Sequence, residues 1–405
     1  MKPQIYRLVV VVTILLFLTG CSGINGQSTQ RDVFTQTTTQ EAVTKTQSAT
    51  DSEKISPDLI FSRMSSLLSL TSPPTVTTIP VQNASPPQGR LPVFVNFTGM
   101  ESRQQVESPA YVTGIGNVVY EESLRNSGDE FQLILAHEYV HIVQRGNNQL
   151  ETVTQINRQD PLLFDSRITT TAVSEGSAVF VTEAYRVQYV RDAQSRPEIR
   201  RGDYQNRTGI AKLSAGAYYF GYEYINNSIG TPSQLTSIYS SPPETTEEII
   251  HQLPPGSEPV PSLNTTIEPG LWDQNPTNIQ AGEMYIRSML GSYLSEEAAA
   301  QGSSGWGNDS AYTFTNGDQT SIVWVTKWDT ESDAREFETT ASEYLTMRGE
   351  QIDIGWNIDL DTDRTTASIY TPTNDTVILI FGPENTNRQT RIFTNGSGIT
   401  IEYPE

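Results

Sequence analysis

The 405-residue sequence contains a single cysteine, Cys21, and only three histidines. One cysteine excludes an intramolecular disulfide, so the usual covalent cross-links of a secreted protein are absent. Long apolar runs are also missing after the N-terminus, and a membrane-spanning helix needs about 20 such residues. We therefore expect everything after Cys21 to lie outside a membrane.

Lysine is scarce, and the net charge is −21. Binding to nucleic acid needs clustered lysine and arginine to neutralise phosphates, so we expect no nucleic-acid partner. An acidic, lysine-poor surface suits solubility in high salt and hints at a halophilic protein. An ordinary acidic secreted protein would have the same composition.

The N-terminus has the features of an export signal. Lys2 and Arg7 flank a short charged region, residues 8–18 are almost wholly apolar, and Leu18-Thr19-Gly20-Cys21 follows. This pattern predicts a signal peptide over residues 1–21 with a lipobox, and acylation of Cys21. The protein would then be anchored by lipid on the extracellular face of the cell membrane. The alternative is a transmembrane anchor, but the apolar stretch is too short for one.

The rest of the chain divides by composition. Residues 22–52 are rich in Ser, Thr and Gln and predict a disordered tether. Pro and Ser cluster between 240 and 262, which predicts a boundary between a catalytic domain at 53–262 and a C-terminal domain of unknown role at 263–405. Asn-x-Ser/Thr sequons, typical of glycoproteins, occur at Asn83, Asn96, Asn206, Asn226, Asn264, Asn308, Asn374 and Asn395.

Apolar spacing indicates an α+β protein. The first helix should begin at Ser56-Pro57-Asp58 and stop at Pro73-Pro74. Further helices are predicted at 129–144, 168–190, 213–225, 278–300 and about 331–347. Short β-branched and aromatic runs predict strands at 91–97, 117–120, 321–327 and 376–381.

The helix at 129–144 carries His137-Glu138-Tyr139-Val140-His141, an HExxH pattern. Residues four apart share one helix face, so both imidazoles can bind one Zn²⁺. Glu138 would lie beside the ion without binding it, and there it could act as general base toward a zinc-bound water. The alternative is a helix with two surface or core histidines.

A catalytic zinc site needs a third protein ligand. Cys21 is assigned to the lipid and His251 is the only other histidine, so a carboxylate is favoured, and Glu175 has apolar helical neighbours. Gly176 and Ala178 should let its helix approach the HExxH helix closely. Glu175 could instead be an ordinary surface residue, and Glu183 on the same helix is a rival that is better explained as solvated or as supporting the ligands.

Two segments resemble the gluzincin metallopeptidases. They are HEYVHIVQ and EGSA, and EGSA begins 34 residues after His141. The resemblance is closest to secreted prokaryotic proteins with HELxHALQ and EGxA helices, whose YxxG and PPxSTEQxLH segments are similar to YYFG at 218–221 and PPETTEEIIH at 242–251. It covers residues 55–345, weakly after His251. It implies a zincin-like domain, mostly helical with a small mixed sheet, with zinc held by His137, His141 and Glu175.

The resemblance also implies a role for a second group of residues. Gluzincins commonly use a Tyr or a His to stabilise the oxyanion, so Tyr218 and His251 are candidates. Tyr218 could equally be a core aromatic, and His251 could simply end a helix. The sequence differs from the family pattern at two positions. Gln252 stands where the group often has Pro, and Val179 stands where thermolysin-like members place an Asp that supports a ligand. The tryptophans at 306, 324 and 328 are predicted to be core residues.

These features together predict an extracellular, lipid-anchored zinc peptidase whose partners are a peptide or protein substrate and, through Cys21, the membrane. In this mechanism zinc polarises a peptide carbonyl and Glu138 passes a proton from water to the leaving amine. The alternative is a non-catalytic binding or adhesion lipoprotein that retains a metal site.

Overall fold

The computed structural model describes residues 55–404, except for 85–90, 102–108, 115, 148, 151–163, 276–277, 361–363 and 397. The predicted signal peptide, Cys21 and the whole of the predicted tether lie outside the described residues. The described part mixes helices with three sheets, which confirms the α+β prediction. No helix within it combines the length and apolar character that a membrane crossing requires.

The first part of the chain is mostly helical. Ser56 caps the first helix by accepting a hydrogen bond from the Leu59 amide (3.3 Å). The predicted helices at 129–144, 168–190 and 213–225 are confirmed, and the first helix begins as predicted at Pro57 but ends at Leu67, before Pro73-Pro74. The helices are α1 (Pro57–Leu67), α2 (Val93–Phe97), α3 (Asp129–Gly146), α4 (Phe164–Tyr189), α5 (Arg196–Asn206), α6 (Gly209–Ser228), α7 (Leu235–Ser240) and α8 (Thr246–Ile250).

A small mixed sheet packs against α3. Its strands are β1 (Thr77–Val81), β2 (Ala110–Thr113) and β3 (Asn117–Glu121), in the order β1-β3-β2. β1 runs parallel to β3, and β2 runs antiparallel to it. The predicted strand at 117–120 is therefore confirmed, and the small mixed sheet that we expected is present.

The prediction of a strand at 91–97 is wrong, because this segment forms the short helix α2. Pro92 stands at the N-cap, where a helix tolerates its missing amide proton. The helical turn buries Phe94 against Tyr285 and Trp324, and Phe97 against Phe381. A short apolar run has no periodicity that distinguishes a helix from a strand, so these tertiary contacts decide its conformation.

The C-terminal part is built on a seven-stranded antiparallel sheet in the order β5-β6-β7-β11-β10-β9-β8, and on a three-stranded sheet in the order β12-β13-β4. The long helix Glu331–Arg348 contacts several strands of the larger sheet. The strands are β4 (Thr265–Glu268), β5 (Asp273–Gln274), β6 (Trp306–Asn316), β7 (Gln319–Trp328), β8 (Gly349–Ile352), β9 (Gly355–Asp359), β10 (Arg364–Thr373), β11 (Thr376–Gly382), β12 (Arg391–Asn395) and β13 (Gly398–Glu402). The helices are α9 (Glu283–Leu290), α10 (Glu296–Gln301), α11 (Glu331–Arg348) and α12 (Glu384–Gln389).

The single helix predicted over 278–300 is wrong. Ile279 pairs with Ala311 beside the large sheet, so the segment begins as extended chain. Gly291 ends α9, and Ser295 starts α10 by accepting a hydrogen bond from the Ala298 amide. A glycine followed by a capping serine interrupts a helix even where the apolar spacing continues. The predicted strands at 321–327 and 376–381 and the helix at 331–347 are confirmed.

The two faces of the large sheet contact different layers. Along β7, Ile322 and Trp324 belong to the main core, whereas Val323 and Val325 belong to a second cluster with β13. This alternation is the period of two that a strand imposes. The main core contains residues from both sides of position 262, and Trp306, Trp324 and Trp328 are buried in it, as predicted. The proposed domain boundary stays a prediction.

Candidate metal centre

Helix α3 carries the HExxH residues through the centre of the molecule. Every side chain from Phe131 to Gln144 is buried, because sheet, α1 and α4 all pack around this helix. His137 and His141 are four residues apart and therefore share one face. Their side chains are about 98% buried, and Glu138 between them is fully buried.

Helix α4 brings Glu175 to the same point. Next to Glu175, α4 crosses another helix, α6, at close range. A Cβ on Gly176 would lie 2.2 Å from the carbonyl carbon of Gly221 on α6. A Cβ on Gly221 would lie 2.1 Å from the Ala172 carbonyl oxygen. The expectation that Gly176 faces the HExxH helix is therefore wrong: it allows α4 to approach α6. Glu175, one residue before Gly176 and about 100° around the helix, reaches the histidines of α3.

The three predicted ligands converge on one point. Glu175 Oε2 lies 3.1 Å from His137 Nε2 and 3.3 Å from His141 Nε2, and the two imidazole nitrogens are 3.2 Å apart. Among the described residues, these three form the group of His, Cys, Asp or Glu side chains whose ligand atoms lie close enough to hold a metal ion. The structure thus brings together residues separated by 38 positions in the chain.

The triangle of ligand atoms has the size that a tetrahedral ion requires. Ligand atoms at about 2.0–2.1 Å from a tetrahedral ion are about 3.3–3.4 Å apart, close to the observed spacings. A second observation agrees with this. Glu175 Oε1 is buried and accepts no hydrogen bond from any described residue, an arrangement that is costly for a carboxylate unless a cation is nearby.

The electrostatics of the group favour a shared positive charge. Burial opposes ionisation of Glu175, yet the charge of His141 and hydrogen bonds from both imidazoles hold its pKa well below the usual range. Burial also lowers the pKa of His137 to about 4, which leaves this imidazole neutral and able to bind a metal. The pKa of His141 is raised because Glu175 outweighs the effect of burial. Glu175 thus stabilises a positive charge at this point, and a bound metal ion would supply that charge.

Glu138 lies beside this group without belonging to it. Both of its carboxylate oxygens are buried, and neither accepts a hydrogen bond from a described residue. Burial raises the pKa of Glu138 to about 8, with a further contribution from the charge of Glu175. A carboxyl group with a pKa in this range can both accept and release a proton near neutral pH.

Our sequence interpretation missed three polar residues beside the ligands. Gln144, Ser174 and Tyr239 are buried, and Gln144 forms hydrogen bonds with both of the others and with the ring of His141 (2.8 Å). Gln144 could have been found from the sequence, because it lies three residues after His141 and so on the same helix face. Ser174 and Tyr239 come from α4 and α7 and have no such signal.

Tyr218 stands next to the ligands, as the resemblance implies. Its ring stacks on that of His137, with centroids 6.0 Å apart and planes at 11°. The guanidinium of Arg200 on α5 lies 4.8 Å from the centroid of the Tyr218 ring. Arg200 is buried, and its charge lowers the pKa of both His137 and Glu138. Arg200 is a further residue that the sequence did not reveal.

The structure gives two other candidates different surroundings. His251 Nε2 lies 3.0 Å from both carboxylate oxygens of Glu283 on α9, and His251 is not part of the ligand group. Glu183 forms an ion pair with Arg186 and accepts a hydrogen bond from the Arg196 amide at the start of α5. Glu183 therefore supports a helix junction about two turns beyond Glu175. A catalytic role for His251 stays a prediction.

Comparison with known proteins gives one match. The family described as a domain of unknown function (DUF8575) matches residues 270–390. This segment contains the large sheet and α11, and it does not include the residues of the metal centre. Neither the curated proteins nor the solved structures contain a match to the chain.

Proposed function

We propose that this protein is a zinc-dependent peptidase of the gluzincin type, anchored outside the cell by a lipid on Cys21. One observation carries the proposal. Three buried ligand atoms, on His137, His141 and Glu175, converge at tetrahedral spacing, and the carboxylate of Glu138 lies beside them without a described hydrogen-bond partner. The HExxH helix, the following helix with its glutamate and the small mixed sheet support a zincin-like domain.

Zinc is the metal that best suits these ligands. Two imidazole nitrogens and one carboxylate oxygen form the donor set of many catalytic zinc sites, in which three protein ligands leave one position open. When bound, zinc would supply Lewis-acid chemistry, activating water and polarising the carbonyl of the substrate. The donor set is a poor match for Ca²⁺ or Mg²⁺, which prefer oxygen ligands alone.

The proposed role of Glu138 is proton transfer. Its carboxylate would take a proton from the attacking water while the water oxygen bonds to the peptide carbonyl carbon. The same proton then goes to the amide nitrogen as the carbon–nitrogen bond breaks, which releases an amine and a carboxylic acid. A carboxyl group is suited to both steps because it can accept a proton and then give it up.

Tyr218 is the residue we propose to stabilise the oxyanion. Its ring lies against a metal ligand, and a phenol can donate a hydrogen bond to developing negative charge. Arg200, next to the same ring, contributes a positive charge within the site.

A peptide panel tests the proposed function. The purified chain should hydrolyse at least one member of a mixed-sequence peptide library, lose this activity to a chelator and regain it when Zn²⁺ is returned. Stoichiometric zinc without cleavage of any peptide would favour the alternative, an adhesion or binding lipoprotein that retains a metal site. A chain that binds no zinc would contradict both.

A further inference from the structure

Gln144 is a buried amide whose hydrogen-bonding capacity is fully used. It is 1% exposed. Its nitrogen Nε2 donates to the Ser174 carbonyl oxygen (3.1 Å) and to the Tyr239 hydroxyl (3.0 Å). Its oxygen Oε1 accepts from the Ser174 hydroxyl (3.0 Å) and faces His141 Nδ1 (2.8 Å). A glutamine can make two donor and two acceptor bonds, and all four are present.

These contacts fix the orientation of the amide. The Ser174 carbonyl oxygen can only accept, so the nitrogen of Gln144 has to face it. Oε1 therefore faces the imidazole, and since a carbonyl oxygen can only accept, His141 Nδ1 has to carry a proton. The opposite nitrogen, Nε2, is then the one that can bind a metal, and it faces His137 and Glu175.

The same amide also links the two ligand-bearing helices. Gln144 follows His141 by three residues on α3, whereas Ser174 immediately precedes Glu175 on α4. The bond from Gln144 to the Ser174 backbone thus ties the position of one ligand to that of the other. Groups that hold a ligand imidazole in this way are worth about 10–100-fold in metal affinity.

We propose that Gln144 is the positioning residue of the metal centre: it sets the tautomer of His141 and holds the α3 and α4 ligands at binding distance. This inference rests on the proposed metal site. An amide performs this task without adding charge. The ligand set keeps Glu175 as its one anionic member, so a divalent ion there retains net positive charge to polarise a substrate.

The test compares two buried glutamines of α3. Gln144→Met keeps volume but removes the amide. Gln132→Met is the matched control, because Gln132 is also buried and hydrogen-bonded, but its partners are Arg63, Tyr185 and Asp129 and none of them is a ligand or a partner of Gln144. Zinc affinity is measured on the full chain by competition with a chelator. Gln144→Met should weaken it about 10–100-fold, and Gln132→Met should leave it unchanged.

A second readout follows the imidazole itself. The chain has three histidines, so ring-labelled zinc-loaded protein gives few imidazole signals by NMR. The Nδ1 proton of His141 should exchange slowly with water in the wild type and quickly in Gln144→Met. Should that variant not fold, Tyr239→Phe removes one acceptor of Gln144 and should weaken zinc binding about fivefold, the size of one neutral hydrogen bond.

Equal zinc affinity for wild type and Gln144→Met would overturn the inference, and so would an equal loss in both methionine variants, because the effect would then be general destabilisation. A wild-type chain that binds no zinc would instead overturn the proposed metal site. The two failures are distinguishable because the first leaves wild-type binding intact.

Discussion

His137 Nε2 and Glu175 Oε2 lie 3.1 Å apart inside the protein, although 38 residues separate them in the chain. Neither side chain is accessible enough to be solvated instead, since both are at least 97% buried. A buried carboxylate and two imidazoles in mutual contact form a group that needs a cation.

Removing a ligand should abolish stoichiometric metal binding. We expect His137→Ala, His141→Ala and Glu175→Ala each to lose zinc on dialysis, because two remaining ligands hold the ion weakly. His251→Ala is the control: its partner is Glu283, and the variant should retain one zinc per chain. Metal analysis after dialysis gives the answer. Zinc lost from His251→Ala, or kept by Glu175→Ala, would show that the ligand set is different.

The crossing of α4 and α6 should not tolerate a methyl group. A Cβ on Gly176 would lie 2.2 Å from backbone atoms of Gly221, so Gly176→Ala has to push the helices apart. We expect a loss of about 3 kcal/mol in the free energy of unfolding, together with weaker zinc binding. In Gly202→Ala the new methyl has open space, and this variant should be about as stable as wild type or slightly more so. Urea unfolding of the two variants measures the difference in their free energies of unfolding. Equal free energies would contradict the close crossing of α4 and α6.

Tyr218 should contribute to the rate through its hydroxyl group and not through its ring. Tyr218→Phe keeps the ring that stacks on His137. We expect kcat to fall about 100-fold, with zinc content unchanged, because a donor to the oxyanion acts mainly in the transition state. The neighbouring Tyr219→Phe is the control. An unchanged kcat in Tyr218→Phe would leave Tyr218 as a packing partner of His137.

The acidic residues near His251 should make stability depend on pH. Burial, reinforced by the charges of Glu283 and Asp329, raises the pKa of Glu247 to about 9. The folded state therefore binds a proton that the unfolded state releases near pH 4.5, and stability should fall as pH rises between these values. The free energy of unfolding should change by up to about 1 kcal/mol per pH unit. Glu247→Gln should flatten this pH dependence in urea unfolding at pH 5, 7 and 9; identical slopes would contradict a raised pKa.

Sequence alone predicted much of this site. The spacing of His137 and His141 fixes both on one face of α3, because helical geometry is local. To identify Glu175, one has to know which carboxylate is buried, and burial depends on the tertiary structure. The same helical spacing could have identified Gln144. Arg200 and Tyr239, in contrast, reach the site through the packing of separate helices.

Long periodicity predicted most of the helices but failed at 278–300, where Gly291 and Ser295 divide the segment, and a short apolar run was misassigned at 91–97. Helices α3 and α4 span five turns or more, and both were correctly predicted. Residues 91–97 form a helix because Phe94 and Phe97 insert between distant aromatics, which a short apolar run does not reveal. The partner of Gly176 was also misassigned, since a glycine indicates a close approach but not which helix approaches.

Glu138→Gln tests the central claim most directly. The substitution keeps the size of the side chain, removes the group that would transfer the proton, and leaves His137, His141 and Glu175 in place. Zinc content and cleavage of a responsive peptide are measured on the same preparations of wild type and variant. We predict one zinc per chain in both, with cleavage in the wild type and at least a 100-fold loss in the variant. Undiminished cleavage by Glu138→Gln, or zinc-loaded wild type that cleaves nothing, would contradict the account.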